Sequence, residues 1–313
     1  MALALDAWID TMRDEYFASY IPDGGSAVRF VVAPSSERVD EAHRRLRSLG
    51  EAAGLTVVLA DCATIRLNQL QNLFFCISQA IDWDRLLQAR LEAIVADSGY
   101  QWPTPGQRSS LAVIAERNGV APGLMRKQIS QDITRAVWHD ARLCQDFRNA
   151  MIALLDARLA DDRDVLRDAI LDWLRGGLRR VSAVRGAQIM SKINRNNARS
   201  LLMSLCHWLR VSGQNGILLL IDMTALLRER RDLQSGHHYT PAAVMDCYEV
   251  LRQMIDDADE MEAIFIGVLA DSALLSDDSR RSLNRYTALK MRVWDDVRPE
   301  HGENPLAPLV VMQ

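Results

Sequence analysis

The sequence predicts an α/β fold with a mainly parallel sheet and a helical insertion. Three observations carry this. Two continuous apolar runs, Gly-Ile-Leu-Leu-Leu-Ile-Asp at 216–222 and Ala-Ile-Phe-Ile-Gly-Val-Leu-Ala at 263–270, have the length and branched character of strands buried on both faces. Strand-like and helix-like segments alternate towards both ends of the chain. Residues 109–175, in contrast, offer helical patterns and no convincing strand.

Taken in order, residues 2–21 predict a helix, and Pro22 to Ser26 a turn. Residues 27–33 predict a strand, 38–49 a polar helix and 55–60 a second strand, which together make a βαβ unit. A helix is expected over 67–96, with Leu70, Leu73, Phe74, Ile77 and Ile81 on one face, until the Pro- and Gly-rich stretch at 99–106 breaks it. The next region is punctuated by Gly119, Pro122 and the acidic run at 161–164. A helix over 194–210 leads through a turn to the strand at 216–222. After a polar loop at 228–239, Thr240 and Pro241 suit the start of a helix reaching Asp257. The 263–270 strand, again ending at an acid, Asp271, a helix near 282–297 and an apolar tail at 309–312 close the chain. The expected organisation is residues 1–100 as the first part of the α/β core, 101–180 as a helical insertion and 181–313 as the rest of the core.

Composition narrows the function classes. A hydrophobic content of 49% is ample for a full core, and no apolar run approaches the ~20 residues of a membrane span. The first residues lack the basic segment of a signal peptide. The five cysteines are widely spaced with no CxxC, which fits thiols in a reducing cytoplasm. A net charge of −4 argues against indiscriminate polyanion binding by the whole surface. Yet no acid occurs from residue 173 to 221, where Arg175, Arg179, Arg180, Arg185, Lys192, Arg195 and Arg199 lie. Such a block suits DNA or an acidic protein partner, or a solvated face whose acids come from elsewhere in the fold. The segment around 111–129 also has the helix, Gly turn and helix order of a helix-turn-helix, an order common in helical bundles.

Strand ends are where ligands bind in open α/β sheets, so they are the candidate sites. Asp222 stands where a nucleotide-hydrolysing fold places its metal-binding Walker B aspartate. Its alternative is to accept hydrogen bonds from the turn that follows. Met223 comes next, and a Met cannot act as a base. A phosphate loop would follow the first strand, at Ala33, Pro34, Ser35, Ser36 and on to Asp40. That stretch has no Gly and no Lys, Pro34 removes an N–H donor, and Glu37 and Asp40 bring negative charge. Arg38 is the only cation there, displaced from the motif's position. His237 and His238 have no carboxylate or Cys at metal-ligand spacing, and no metal site is expected.

The C-terminal half resembles a known family, the P-loop ATP-binding proteins of BREX-type bacteriophage-defence systems in the BrxD group. The resemblance is carried by Leu-Asp-Trp-Leu-Arg-Gly from 171, Ile-Asn-Arg-Asn-Asn-Ala-Arg from 193, and the strand to Asp222. Tyr-Glu-Val-Leu-Arg-Gln-Met-Ile-Asp-Asp from 248, Tyr-Thr-Ala-Leu-Lys-Met-Arg from 286 and Asn-Pro-Leu-Ala-Pro-Leu from 304 continue it. It runs in order over about residues 165–313. It implies an AAA+-like P-loop NTPase core, Asp222 as the Walker B aspartate, and Arg285 and Arg292 within an arginine-containing C-terminal motif. The family's glycine-rich Walker A has no counterpart at Ala33 to Asp40. The expectation is therefore a catalytically inactive pseudo-ATPase, without ATP or magnesium, that scaffolds or regulates a cytoplasmic defence complex. An intact ATPase, a methyltransferase or a phosphatase-like subunit would be its partner. The alternatives are a DNA-binding module using residues 173–221, and an ATPase with a non-standard phosphate site in which Arg38 replaces the missing Lys.

Overall fold

The computed structural model describes residues 3–159, 164–229, 236–294 and 304–313. It divides into two compact units, one formed by Met1–Ala80 with Gln214–Gln313 and the other by Ile81–Gly213. The first unit begins with α1 (Leu5–Met12), β1 (Ser26–Ala33), α2 (Ser36–Ala52), β2 (Thr56–Asp61) and α3 (Leu70–Ala80). The second unit holds α4 (Trp83–Asp97), α5 (Leu111–Arg117), α6 (Pro122–Trp138), α7 (Gln145–Leu159), α8 (Asp164–Arg175) and α9 (Ala198–Val211). The chain then returns to the first unit with β3 (Ile217–Asp222), α10 (Thr224–Leu227), α11 (Pro241–Asp256), β4 (Ile264–Asp271), α12 (Thr287–Val293) and β5 (Leu309–Val311).

The five strands form one all-parallel sheet in the order β2-β3-β4-β1-β5. The fold is therefore α/β, consistent with a P-loop NTPase core. Parallel strands covered on both faces have no solvent side, which is why the central runs are continuously apolar. All eight residues of β4 are buried, as are the first five of β3. On one face, Ala27, Val31, Leu218, Leu220, Phe265 and Leu269 pack with Trp8, Met12, Phe17, Val39 and Leu46 from α1, the turn after it and α2. Helix α2 buries Val39, Ala42, Leu46 and Gly50, a helical stripe in an otherwise polar sequence. It approaches β3 so closely that a Cβ on Gly50 would lie 2.4 Å from the Leu218 side chain.

Several elements differ from the sequence expectation for local reasons. The helix expected over 2–21 stops at Met12 and gives way to a π turn, Arg13–Phe17. The wider turn places Tyr16 and Phe17 edge-on to Phe265, with ring centroids 5.5 and 4.9 Å away. The helix expected over 67–96 is two helices, because Asp82 accepts a hydrogen bond from the Arg85 N–H and so starts α4 anew. The expected helix at 282–297 is a short 3₁₀ turn followed by α12, and residues 295–297 lie outside the described residues. The apolar tail becomes a strand: Phe30, Val31 and Val32 of β1 pair with Leu309, Val310 and Val311. Thr240 caps α11 as its sequence predicts, accepting from the Ala243 N–H at 3.2 Å. The acidic run at 161–164 and the loop at 228–239 lie partly outside the described residues.

The second unit is helical. Its core gathers Trp83, Leu91, Ile129, Ile133, Phe147, Leu154, Trp173, Leu205 and Trp208. Helix α7 is apolar on more than one side, with Phe147, Ala150, Met151, Leu154 and Leu155 all buried, as suits a central helix. Among the described residues no helix of either unit is long and apolar enough to cross a membrane, and no disulfide forms.

Candidate functional site

The carboxyl edge of the sheet brings the strand ends together. Ala33 pairs with Asp271, Asp222 with Leu269, and Asp61 with Asp222. Three strands thus end in an acid, and all three acids do the same local work. Asp61 accepts from the Ala63 N–H at 2.7 Å, Asp222 from the Thr224 N–H at 2.8 Å, and Asp271 from the Ala273 N–H at 3.0 Å. Each carboxylate closes the turn leaving its own strand. Asp222 is bound twice, since the Thr224 hydroxyl donates to the same oxygen at 2.6 Å. Met223 beside it is fully buried.

The connection from β1 to α2 is two residues long, Pro34 and Ser35. A phosphate cradle is built from successive N–H groups of a longer, Gly-rich loop, with a Lys reaching the outer phosphates. Pro34 has no N–H to offer, and the helix begins at Ser36. The Ser35 hydroxyl does not cap the helix. The Glu37 carboxyl, exposed on the first turn of α2, is held below the usual carboxylate range by the Ser35 hydroxyl and its own backbone N–H. Glu37 thus adds negative charge to the first turn of α2, where a helix favours it. Arg38 points along the helix to Glu41, 2.6 Å away, with half of its side chain exposed. These residues do not fit the phosphates of a nucleoside triphosphate.

An open cavity of about 420 Å³ lies beside this connection, lined by Pro34, Ser35, Ser36, Arg228, Asp271, Ser272, Ala273, Ser276 and Ser279. Its charges cancel locally, because Arg228 donates to the buried Asp271 carboxylate at 2.6 Å. On the face of the sheet that α2 covers, His43 lies near Asp222, Asp40 and Asp61. Burial pulls its pKa below the ordinary histidine value, against the opposing pull of those three carboxylates. Its Nε2 is buried without a hydrogen-bond partner. Neither His43 nor the Arg228–Asp271 pair stood out in the sequence, since a lone His in a polar helix and an Arg in a loop carry no motif. Asp271 alone was visible, as a second acid ending an apolar run.

The loops after β2, β3 and β4 are tied together. The Tyr239 hydroxyl accepts from the Leu67 N–H and donates to the carbonyl of Ile65 at 2.6 Å. The buried Arg281 guanidinium donates to the carbonyls of Tyr239 at 2.5 Å and Leu226 at 3.4 Å. His237 meets the Thr64 carbonyl at 3.1 Å, and His238 faces Arg281 at 3.5 Å. Among the described residues no three metal-ligating side chains converge.

The remaining predicted residues lie elsewhere. Arg285 is exposed and donates to the Asp277 carbonyl at 3.3 Å. Arg292 forms a two-point ion pair with Asp256, which Arg252 also holds. Next to it, Arg252, with help from Tyr286 and Gln253, lowers the Glu249 carboxyl to about 2. Arg175, Arg179, Arg180, Arg185, Lys192, Arg195 and Arg199 are all exposed in the helical unit. The candidate helix-turn-helix forms α5, a turn and α6, with Ile114, Ala115, Met125 and Ile129 buried.

Residues 111–313 match the family model of the BREX system ATP-binding protein BrxC/D. The match covers more than half of the chain, and the chain belongs to that family. It begins at α5, well before the stretch from 165 on which the sequence resemblance rests. No curated protein and no solved structure matches the chain.

Proposed function

We propose that this member of the BREX anti-phage defence family is a non-hydrolysing subunit, which scaffolds or regulates the assembly through its P-loop-type fold. The single observation that carries the reading is the connection from β1 to α2. At two residues, Pro34 and Ser35, it is too short to wrap phosphates, and an acid, Glu37, follows it in the first turn of the helix. The Asp222 oxygen that accepts from Thr224 serves the turn, and Met223 offers no base for activating water. Arg38, the cation within the stretch that replaces the phosphate loop, is paired with Glu41.

Membership in a BREX system implies other defence-system proteins as partners. We propose an intact ATPase, a methyltransferase or a phosphatase-like subunit among them, which would supply the chemistry that this chain lacks. The test is phage protection by the complete system carrying Asp222→Asn. Asn keeps the hydrogen bond that closes the turn but removes the charge that a magnesium ion needs. Unchanged protection, with the chain still co-purifying with its partners after nucleotide depletion, is expected. Loss of protection with the partners still bound would refute a non-hydrolysing role.

A further inference from the structure

Between α8 and α9 the chain has no regular helix except a 3₁₀ turn, Val181–Ala187. Irregular surface segments are often mobile, but this one is pinned from beneath. Val184, Ala187, Ile189 and Ile193 are buried. The Trp173 indole donates to the Ser191 carbonyl at 2.9 Å, Asn149 to Gln188 at 3.2 Å, and Asn197 to Lys192 at 3.2 Å. Gln188 is held in the left-handed region at φ 58°, a conformation a non-glycine residue keeps only where its surroundings enforce it.

From this fixed backbone project Arg179, Arg180, Arg185, Lys192 and Arg195. All five are exposed, and none forms an ion pair among the described residues. Elsewhere the chain neutralises many of its surface arginines. Arg13, Arg38, Arg47 and Arg167 each have a carboxylate within 2.8 Å. Five uncompensated cations within 17 residues of an acidic protein concentrate repulsion, which a bound polyanion would relieve.

We infer that residues 179–195 form a docking surface for the phosphate backbone of duplex DNA. The inference stands apart from the reading of the sheet edge. Four of the five cations are arginines, whose planar fork matches phosphate oxygens in two-point contacts. They are spread along the segment around one exposed apolar side chain, Met190, and not around an aromatic cluster of the kind that anchors protein partners. Binding there fixes position and carries no sequence preference by itself.

The test measures anisotropy of a fluorescein-labelled duplex against the full chain over a salt series. Wild type should bind at about 50 mM salt and weaken steeply as salt rises. The variant Arg179→Gln/Arg180→Gln/Arg185→Gln/Lys192→Gln/Arg195→Gln should lose at least tenfold in affinity. The slope of log affinity against log salt should become shallower by about 4.5, at ~0.9 per phosphate contact. If that variant melts early, Arg179→Gln/Arg195→Gln should remove about 2 from the slope. The pair Arg126→Gln/Lys127→Gln on α6 should bind like wild type. Absence of duplex binding, an unchanged slope in the variants, or loss of binding in the α6 pair would each overturn the assignment. So would binding of polyglutamate but not duplex, which would identify an acidic protein as the partner.

Discussion

Arg228 and Asp271, 43 residues apart in the chain, meet at 2.6 Å on the carboxyl edge of the sheet. Asp271 is 6% exposed as a side chain and Arg228 is 42% exposed, so the pair lies at a margin between protein and water. Its second oxygen closes the turn after β4. The pair thus neutralises one wall of the cavity beside β1 and holds the segment after β3 against β4.

Removing the cation leaves a buried carboxylate with only its turn N–H. Arg228→Ala is expected to cost about 1–3 kcal/mol, less than a fully buried pair because solvent screens the Arg side. Urea denaturation measures it. A midpoint equal to wild type would mean that the pair is ornamental.

His43 predicts a pH effect of defined sign. Its folded-state pKa lies below the ordinary value of 6.5, chiefly through burial. On acidification the unfolded chain takes up the proton first, so this group's share of stability is full above about pH 6.5 and declines as pH falls below it. His43→Gln should flatten that decline over the window below about pH 6.5. If stability of wild type and variant falls in parallel over that window, His43 is not the group responsible.

Gly216 has φ 125°, and a Cβ there would lie 2.3 Å from the carbonyl oxygen of Ala263. Both the backbone conformation and the space forbid a side chain. Gly216→Ala should destabilise by more than about 2 kcal/mol and depress soluble expression. A variant with the wild-type melting temperature would show that β3 and β4 can separate at that point.

Much of the sheet was legible because burial on both faces writes itself as an uninterrupted apolar run. β3 and β4 needed no other signal. β5 was not legible, since three residues are too few to show a period and their pairing with β1 is a tertiary fact. The break between α3 and α4 was missed for the opposite reason. Apolar residues continue in step across Ile81, and only Asp82 as a cap marks the interruption. At the candidate site, the sequence exposed what phosphate chemistry would need and lacks: Gly and Lys after β1. It could not expose Arg228 on Asp271, because that depends on where a side chain turns.

Arg281 is 7% exposed, and its donors end on the carbonyls of Leu226 and Tyr239. Its own carbonyl accepts from the Tyr248 hydroxyl at 2.5 Å. Arg281→Met keeps the bulk of the side chain and deletes the donors, leaving buried carbonyls unsatisfied. The expected cost is about 2–4 kcal/mol. Hydrogen exchange should show faster opening of residues 62–67 and 236–240 together. Faster exchange in one of these loops alone would break the proposed link between them.

Whether the sheet edge of this chain handles nucleotide at all separates a non-hydrolysing subunit from an ATPase. Steady-state phosphate release from ATP and magnesium, by the purified full chain with and without its partner proteins, tests that most directly. We predict no release above the buffer rate from the chain alone, and, with partners, the same rate for wild type and Asp222→Asn. Turnover by the chain alone that Asp222→Asn abolishes would contradict it.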